Sequence, residues 1–251
     1  IEHADIKRML LAQKAYSEGA LALALYSARL VDEQHTGTAE DADVARLLLE
    51  VLTPIVKSFP SEWCLEANSL AIQIHGGYGY TRDFPVEQYW RDNRLNMIHE
   101  GTHGIQAMDL LGRKVLMENG RGLQLLVERI QATIGKAGLI AELAPHAGAL
   151  SQALEHVGAA TRAAWATGNP TDALANAVPY LQAFGHTVLA WIWLDVALAS
   201  RAAAQEGTPA HAGRMAAARY FFHYELPKIG AWLKVVAARD LTCAELGEDA
   251  F

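Results

Sequence analysis

The residues most suited to catalysis or ligand binding lie between positions 73 and 106, QIHGGYGYTRDFPVEQYWRDNRLNMIHEGTHGIQ. Within this segment His99, Glu100 and His103 match H-E-x-x-H, a pattern in which two histidines bind zinc and the glutamate activates a water molecule. In such sites the two histidines lie one turn apart on a regular helix. Here Gly101 interrupts the pattern, and no third ligand follows at helical spacing. The sequence therefore does not favour a metal site.

Gly76, Gly77 and Gly79 form the densest glycine cluster of the chain. A dinucleotide-binding G-x-G-x-x-G loop follows a strand and opens a helix. This cluster instead follows a segment whose apolar residues have helical spacing, so the Rossmann interpretation fails. Two alternatives remain open. The glycines end a helix and let the chain turn, or they let a ligand approach the backbone closely.

The tripeptide Glu100-Gly101-Thr102 stands at the start of a predicted helix. Helix N-termini attract anions such as a pyrophosphate, and a glycine there permits close approach. A carboxylate beside an apolar cavity is also a suitable base for removing a proton from carbon. Glu100 is therefore the candidate catalytic residue, and Thr102 is a candidate ligand contact.

The elements that must position these residues are all predicted to be helices, because apolar residues recur at three- and four-residue steps and alternating strand patterns are absent. Pro54 and Pro60 predict a kink or short break in the second helix. Asn119-Gly120 predicts a boundary between two helical bundles, residues 1–119 and 120–251. Trp191 and Trp193 are interpreted as core or interface anchors, and His186 as an ordinary surface or core residue. The aromatic residues of positions 221–224 are interpreted as packing the second half on the first or one subunit on another. The helices are expected at about 4–33, 39–74, 85–92, 102–118, 121–136, 139–167, 171–205 and 210–240.

Composition excludes several classes of protein. The net charge of −7 argues against nucleic acid as the main partner, and no uninterrupted apolar run is long enough to cross a bilayer. The first residues do not resemble a signal peptide. Cys64 and Cys243 lie far apart in the sequence and suggest free thiols in a reducing compartment. We therefore expect a cytoplasmic protein without a membrane span.

Three parts of the central segment together resemble the C-terminal domain of the acyl-CoA dehydrogenases. They are Q-x-x-G-G-x-G-Y, a short P-V-E helix with R-D, and an E-G-T turn followed by a helix containing I-Q. The resemblance extends over the long helices of residues 1–119. Residues 120–251 resemble the helical extension of the longer bacterial members, including the methylthiopropanoyl-CoA dehydrogenase-like group.

This resemblance implies a flavoenzyme that holds FAD and oxidises an acyl-CoA thioester between its α and β carbons. Glu100 matches the catalytic base, and Thr102 matches a residue that contacts FAD. Gln73, Gly76 and Gly77 are the other implied cofactor-binding residues. Gln73 and Gly77 match positions that reach the ADP portion of FAD in a neighbouring subunit, which implies a homodimer or a dimer of dimers. An electron-transfer flavoprotein or a similar acceptor is the expected redox partner.

The chain also departs from the family pattern. His99 stands where many members carry tyrosine, and Gly104 stands where many carry a polar flavin contact. Members of the family also contain an N-terminal helical domain and a middle β-domain, so we expect this chain to be a C-terminal fragment that binds FAD poorly and is inactive alone. Two alternatives remain: a DNA-associated flavoprotein of the same fold that is not a dehydrogenase, and a helical oligomerisation module without catalysis.

Overall fold

The computed structural model describes residues 1–99, 102–202 and 207–250, and these residues contain helices and no strand. The predicted all-α class is confirmed. The helices are α1 (Ala4–Thr36), α2 (Ala39–His75), α3 (Val86–Arg94), α4 (His103–Asp109), α5 (Met117–Gly138), α6 (Ala144–Ala164), α7 (Pro170–Leu174), α8 (Ala177–Ala202), α9 (Pro209–Tyr220) and α10 (Ile229–Ala238). Single 3-10 turns cover Gly76–Tyr80, Leu95–Met97, Leu226–Lys228 and Glu248–Ala250, and π-helical turns cover Leu110–Lys114 and Phe221–Glu225.

Helices α1 and α2 form a long antiparallel hairpin joined by only Gly37 and Thr38. Thr38 is the N-cap of α2, and its hydroxyl accepts a hydrogen bond from the Asp41 backbone N–H at 3.2 Å. Aromatic side chains join the two helices further along, where the Tyr16 ring lies 5.4 Å from that of Trp63. The hairpin therefore holds α2, along which the candidate residues lie, in fixed relation to α1.

The sequence predicted a kink or a short break at the prolines of α2, and of these two alternatives the break is wrong. Helix α2 runs continuously from Ala39 to His75 through both Pro54 and Pro60. A proline inside a helix removes one hydrogen bond and costs about 3 kcal/mol, but α2 packs into the core along its whole length. Its buried residues on both sides of the prolines are Leu47, Leu48, Val51, Leu52, Ile55, Phe59 and Ala67. This packing keeps the helix intact despite the missing N–H groups.

The chain turns sharply at positions 118–120, where three consecutive residues have φ of 50°, 58° and 82°. A helical boundary at Asn119-Gly120 is therefore confirmed. Ion pairs fix the turn to α2, since Glu118 lies 2.7 Å from Arg46 and Arg121 lies 2.7 Å from Asp43. The division of the chain into two domains at this point stays a prediction, because one cluster of buried side chains continues across it.

Helix α8 is the centre of the second half of the chain and is buried on nearly all sides. Trp193 donates a hydrogen bond to the Ala15 carbonyl of α1 at 3.0 Å, and Trp191 donates one to the Thr133 hydroxyl of α5 at 2.9 Å. Both tryptophans are core anchors, as predicted. By length and composition alone α8 could cross a membrane, but 78% of its most apolar window is buried inside this bundle.

The second half contains more interruptions than the sequence pattern predicted. The helix expected over 171–205 is divided into α7 and α8, and that expected over 139–167 starts only at Ala144. The helix expected over 210–240 is interrupted by the π-helical turn Phe221–Glu225 and the 3-10 turn Leu226–Lys228. Pro227 accounts for part of this, since it has no N–H to continue the helical ladder.

Candidate functional site

The glycine cluster lies at the C-terminal end of α2, where the helix stops at His75. Gly76 adopts φ +60°, and its N–H donates a hydrogen bond to the Gln73 carbonyl. This is a C-terminal cap in a conformation that favours glycine. The Gln73 side chain is exposed on the last turn of the helix. The predicted cofactor residues Gln73, Gly76 and Gly77 therefore form one exposed group.

The structure explains two of the three glycines, each by a different constraint. Gly76 is explained by its positive φ, and Gly79 by packing, because a Cβ there would lie 2.5 Å from the Ile72 carbonyl oxygen. Neither reason applies to Gly77, whose φ is ordinary and whose Cβ would meet nothing within 4 Å. The described residues thus leave the backbone at Gly77 open to a group from outside the chain, as close approach of a phosphate requires.

A cleft of about 340 Å³ lies beside this turn. Arg91 and Glu87 both lie on the wall of this cleft. The Glu87 carboxylate is 3.4 Å from the Arg91 guanidinium and partly neutralises its positive charge. The other side chains on the wall are Ile72, Tyr80, Arg82 and Trp90. The cleft therefore offers aromatic surface together with two guanidinium groups, a combination that suits a nucleotide.

The second group of candidate residues surrounds the start of α4. Thr102 is the N-cap of this helix, and its carbonyl accepts the Gln106 N–H at 3.0 Å. Its side chain is exposed and makes no capping hydrogen bond. The hydroxyl is thus not used to cap the helix, and the contact of Thr102 with FAD stays a prediction. The predicted base Glu100, together with Gly101, lies outside the described residues.

His99 and His103 line a cleft of about 470 Å³ against the middle of α2. His99 lies in a turn and His103 is the first residue of α4, so the two do not share a regular helix as a zinc-protease site requires. Over residues 1–99, 102–202 and 207–250, no group of three or more His, Cys, Asp or Glu side chains could hold a metal ion. Cys64, on the same wall, has its pKa raised to about 11 by burial, so its thiol stays protonated at neutral pH.

The two groups of candidate residues lie at different heights along α2. The cleft with His103 contacts α2 at Ser61 and Cys64, whereas the glycine turn follows His75. At 1.5 Å per residue, the interval from Ser61 to the turn corresponds to roughly 20 Å. The structure therefore brings Gln73, Gly76 and Gly77 together but leaves Thr102 apart from them. Contact with two different cofactor molecules, as the resemblance implies, is compatible with this separation.

A third set of polar residues was not predicted to be functional. Glu225 is 1% exposed, and its carboxylate accepts hydrogen bonds from the Tyr220 hydroxyl at 3.2 Å and the Lys228 ammonium at 2.5 Å. Burial raises the pKa of Glu225, but the adjacent His186 ring and Lys228 outweigh it and lower this pKa to about 2. Burial also lowers the pKa of His186. The one sequence signal was a glutamate within the aromatic run FFHYEL.

Two family models match the chain one after the other. Residues 1–116 match the acyl-CoA dehydrogenase C-terminal domain, and residues 126–247 match the acetyl-CoA dehydrogenase C-terminal-like model. The 3-methylmercaptopropionyl-CoA dehydrogenase of Ruegeria pomeroyi is 37% identical over 217 residues, covering 82% of this chain and 36% of that protein.

The chain belongs to the acyl-CoA dehydrogenase family. A second relative in this family is the broad-specificity linear acyl-CoA dehydrogenase FadE5 of Mycobacterium tuberculosis, which is 30% identical over 99% of this chain and 43% of its own length. The chain thus spans only 36% and 43% of the length of these two relatives.

Solved structures of acyl-CoA dehydrogenases share this fold. The Bacillus anthracis enzyme, crystallised with FAD, superposes with a TM-score of 0.74 at 18% identity, over 99% of this chain and 44% of that chain. Caenorhabditis elegans ACDH-11, in complex with C11-CoA, gives a TM-score of 0.67 at 22% identity, over 91% of this chain and 38% of its own. Both halves of the helical arrangement therefore occur in known members of the family.

Proposed function

We propose that this chain serves as the C-terminal helical part of an FAD-dependent acyl-CoA dehydrogenase that introduces an α,β double bond into an acyl-CoA thioester. The observation that carries the proposal is the consecutive match of two C-terminal models of acyl-CoA dehydrogenases over residues 1–116 and 126–247. The relatives from Ruegeria pomeroyi and Mycobacterium tuberculosis, both acyl-CoA dehydrogenases, support the same reaction class.

Glu100 is the proposed catalytic base. Its carboxylate takes the α-proton of the thioester, and its backbone N–H donates a hydrogen bond to the thioester oxygen. This hydrogen bond is needed because the α-proton is too weakly acidic for an unaided carboxylate. FAD, when bound, supplies the acceptor for the β-hydride. His99 precedes the base and would form part of the cavity wall where many members have tyrosine.

Gln73, Gly76, Gly77 and Thr102 are the proposed cofactor contacts of this chain. Two observations support these roles. Within the described residues nothing lies within 4 Å of a Cβ placed at Gly77, and the Thr102 hydroxyl makes no capping hydrogen bond. The separation of the two groups along α2 supports the proposal that the glycine turn contacts FAD in a second copy of the chain. A homodimer or dimer of dimers is part of this proposal.

An electron-transfer flavoprotein is the proposed electron acceptor. A relative from Acetobacterium woodii, 36% identical over 95 residues and 38% of this chain, is a subunit of a caffeyl-CoA reductase-Etf complex. We also propose a cytoplasmic location, which is supported by the two free cysteines, Cys64 and Cys243.

The substitution Glu100→Gln tests the proposal in the complete gene product, including any residues encoded upstream of Ile1. The variant should purify yellow, with FAD bound, and its flavin absorbance near 450 nm should no longer bleach on addition of an acyl-CoA. A loss of roughly 10²- to 10⁴-fold in the bleaching rate is expected for removal of a catalytic base. Glu128→Gln, on the exposed face of α5, is the matched control and should bleach as the parent protein does.

Three results would count against this proposal or part of it. Undiminished bleaching by the Glu100→Gln protein would remove this residue from the role of base. A complete gene product that forms a stable oligomer without FAD and never reacts with acyl-CoA would support a helical oligomerisation module. Salt-dependent DNA binding would support a DNA-associated flavoprotein, although the net charge of −7 opposes it.

A further inference from the structure

A further cleft has none of the candidate residues Gln73, Gly76, Gly77 and Thr102 on its walls. It has a volume of about 630 Å³ and lies between α1, α2 and α3 on one side and the turns that connect α9 to α10 on the other. This volume falls in the range of roughly 300–1,000 Å³ that is typical of small-molecule sites. Because both halves of the chain contribute walls, the cleft exists only when they are packed together. We call it the inter-half cleft.

The π-helical turn Phe221–Glu225 builds one wall of the inter-half cleft. Its wider turn is closed by a hydrogen bond from the Leu226 N–H to the Phe221 carbonyl, five residues earlier. This spacing brings Tyr220 and Glu225 together through their 3.2 Å hydrogen bond and stacks the Tyr220 and Tyr224 rings with centroids 4.8 Å apart. π-Helical turns inside helices frequently occur at functional sites. Here the turn presents two tyrosine rings to the cleft.

Aromatic surface extends around the rest of the inter-half cleft, from Tyr16 of α1, Trp63 of α2 and Trp90 of α3. One of these rings already binds a cation, since the Lys228 ammonium lies 5.0 Å from the centre of the Trp63 ring. Trp90 is 39% exposed, so its ring is accessible to a ligand from solvent. Walls of this kind favour a cation that also has apolar surface, through cation–π attraction.

The charges of the cleft also favour a cation. Its two basic groups already have partners, since Lys228 pairs with Glu225 at 2.5 Å and Arg8 pairs with Asp5 at 2.8 Å. Glu62 and Glu66 remain, one helical turn apart on α2. The Glu62 carboxylate accepts a hydrogen bond from the neutral Gln182 amide at 2.7 Å, and within the described residues no ion pair neutralises either of these two glutamates.

We propose that the inter-half cleft binds a small alkylammonium cation. Glu62 and Glu66 hold the charged nitrogen, and the exposed rings of Trp90 and Tyr224 contact its alkyl groups. The site requires neither FAD nor acyl-CoA, and so it is independent of the proposed dehydrogenase reaction. Trp90 also lines the cleft beside the glycine turn, so a bound cation would contact a helix that borders the proposed cofactor site.

Titration of the complete gene product with choline chloride, followed by tryptophan fluorescence and by calorimetry at low salt, tests this site. Choline should bind saturably, and its uncharged isostere 3,3-dimethyl-1-butanol should bind on the order of tenfold more weakly, because it lacks the charge that the rings and carboxylates attract. Added salt should weaken choline binding, since Glu66 is exposed to solvent.

Two variants locate the site, and a third serves as control. Glu66→Gln and Trp90→Leu should each weaken choline binding on the order of fivefold. Both residues reach solvent, so the variants should fold, which far-UV circular dichroism checks. Glu155→Gln, on the exposed face of α6, should leave the affinity unchanged. The proposal is wrong if choline does not saturate the protein, if the isostere binds equally well, or if neither Glu66→Gln nor Trp90→Leu changes the affinity.

Discussion

At the residue scale, Gly77 and Gly79 lie two positions apart in the same turn but have different surroundings. A Cβ at Gly79 would lie 2.5 Å from the Ile72 carbonyl oxygen, a backbone atom that cannot move aside independently of α2. A Cβ at Gly77 would point into open space. The fold explains the glycine at position 79, whereas no contact within the described residues requires a glycine at position 77.

This difference predicts opposite results for two alanine substitutions. Gly79→Ala should lower the free energy of unfolding by about 1–3 kcal/mol, because the added methyl group forces the turn away from α2. Gly77→Ala should change it by less than about 0.5 kcal/mol, as expected for an unconstrained surface position. Urea unfolding of the two variants measures both values. In the FAD-loaded complete gene product, Gly77→Ala should instead lower the amount of FAD retained after gel filtration.

Glu225 predicts a pH dependence of stability. Its pKa is 4.5 in the reference state and about 2 in the folded protein, so the folded state binds its proton less readily than the unfolded state. The resulting stabilisation is fully present above pH 4.5 and is lost as the pH falls from 4.5 towards 2; by linkage it amounts to about 3 kcal/mol. His186, whose pKa is also lowered, adds a loss of the same sign that begins below its ordinary value of 6.5.

The substitution Glu225→Gln isolates the carboxylate contribution. The variant should be less stable than the parent protein at pH 7, because Lys228 loses its ionised partner. Its stability should then fall less steeply between pH 5 and pH 2.5 than that of the parent protein, as measured by urea unfolding at each pH. Parallel curves for the two proteins over this interval would contradict the assigned pKa.

At the element scale, periodicity predicted which segments are helical but not where packing extends or interrupts them. The spacing of apolar residues located α1 and α2 to within a few residues, because each helix buries one face. It could not show that core contacts would keep α2 continuous through Pro54 and Pro60. Nor could it predict the π-helical turn before α10, which depends on the contacts of Glu225 with residues of other helices.

Two further glycine-to-alanine substitutions should have opposite effects, because one glycine lies at the contact between α1 and α8 and the other faces open space. A Cβ at Gly19 would lie 2.6 Å from Nε1 of Trp193, whose hydrogen bond to Ala15 holds the indole in place. Alanine gains up to about 1 kcal/mol over glycine in helix propensity, but the clash should outweigh this gain. Gly19→Ala should therefore destabilise the protein by about 1–2 kcal/mol. Gly148→Ala, on α6 with nothing within 4 Å of its Cβ, should stabilise it by about 0.5–1 kcal/mol.

Thermal and urea unfolding of these two variants provide the comparison. Removing the indole should remove most of the Gly19→Ala effect, so Gly19→Ala combined with Trp193→Leu should be less destabilising than the sum of the single substitutions. Additive effects would show that the added methyl group is accommodated without contact with Trp193.

At the scale of the whole molecule, the motifs of positions 73–106 were sufficient to assign the family, and that assignment is confirmed. The inter-half cleft could not be predicted in the same way. Its walls come from residues as distant in sequence as Arg8, Trp90 and Tyr224, which no local pattern relates. Assignment to a family depends on residues that are near one another in sequence, whereas a cleft between helices depends on the packing of the complete chain.

The shared core predicts that the two halves unfold together, although two family models divide the chain between them. Three hydrogen bonds cross the boundary. Trp193 donates to the Ala15 carbonyl in the buried core. Two partly buried bonds join the Trp165 indole to the Leu111 carbonyl at 3.1 Å and the Gln182 amide to the Glu62 carboxylate at 2.7 Å. If one half unfolded alone, the apolar surface that the other half buries against it would be exposed to water. This exposure costs about 25 cal/mol of free energy per Å² of apolar surface.

We therefore expect one cooperative transition in urea, with far-UV circular dichroism and tryptophan fluorescence giving the same midpoint. Glu118→Ala, which removes the ion pair with Arg46 at the turn between the halves, serves as a control for the boundary itself. This pair is partly exposed, so its loss should shift the midpoint only slightly without separating the transitions. Two midpoints in the parent protein would mean that the helices of residues 1–119 are stable without α8. In that case the contact between Trp193 and α1 would serve to join two domains that fold separately.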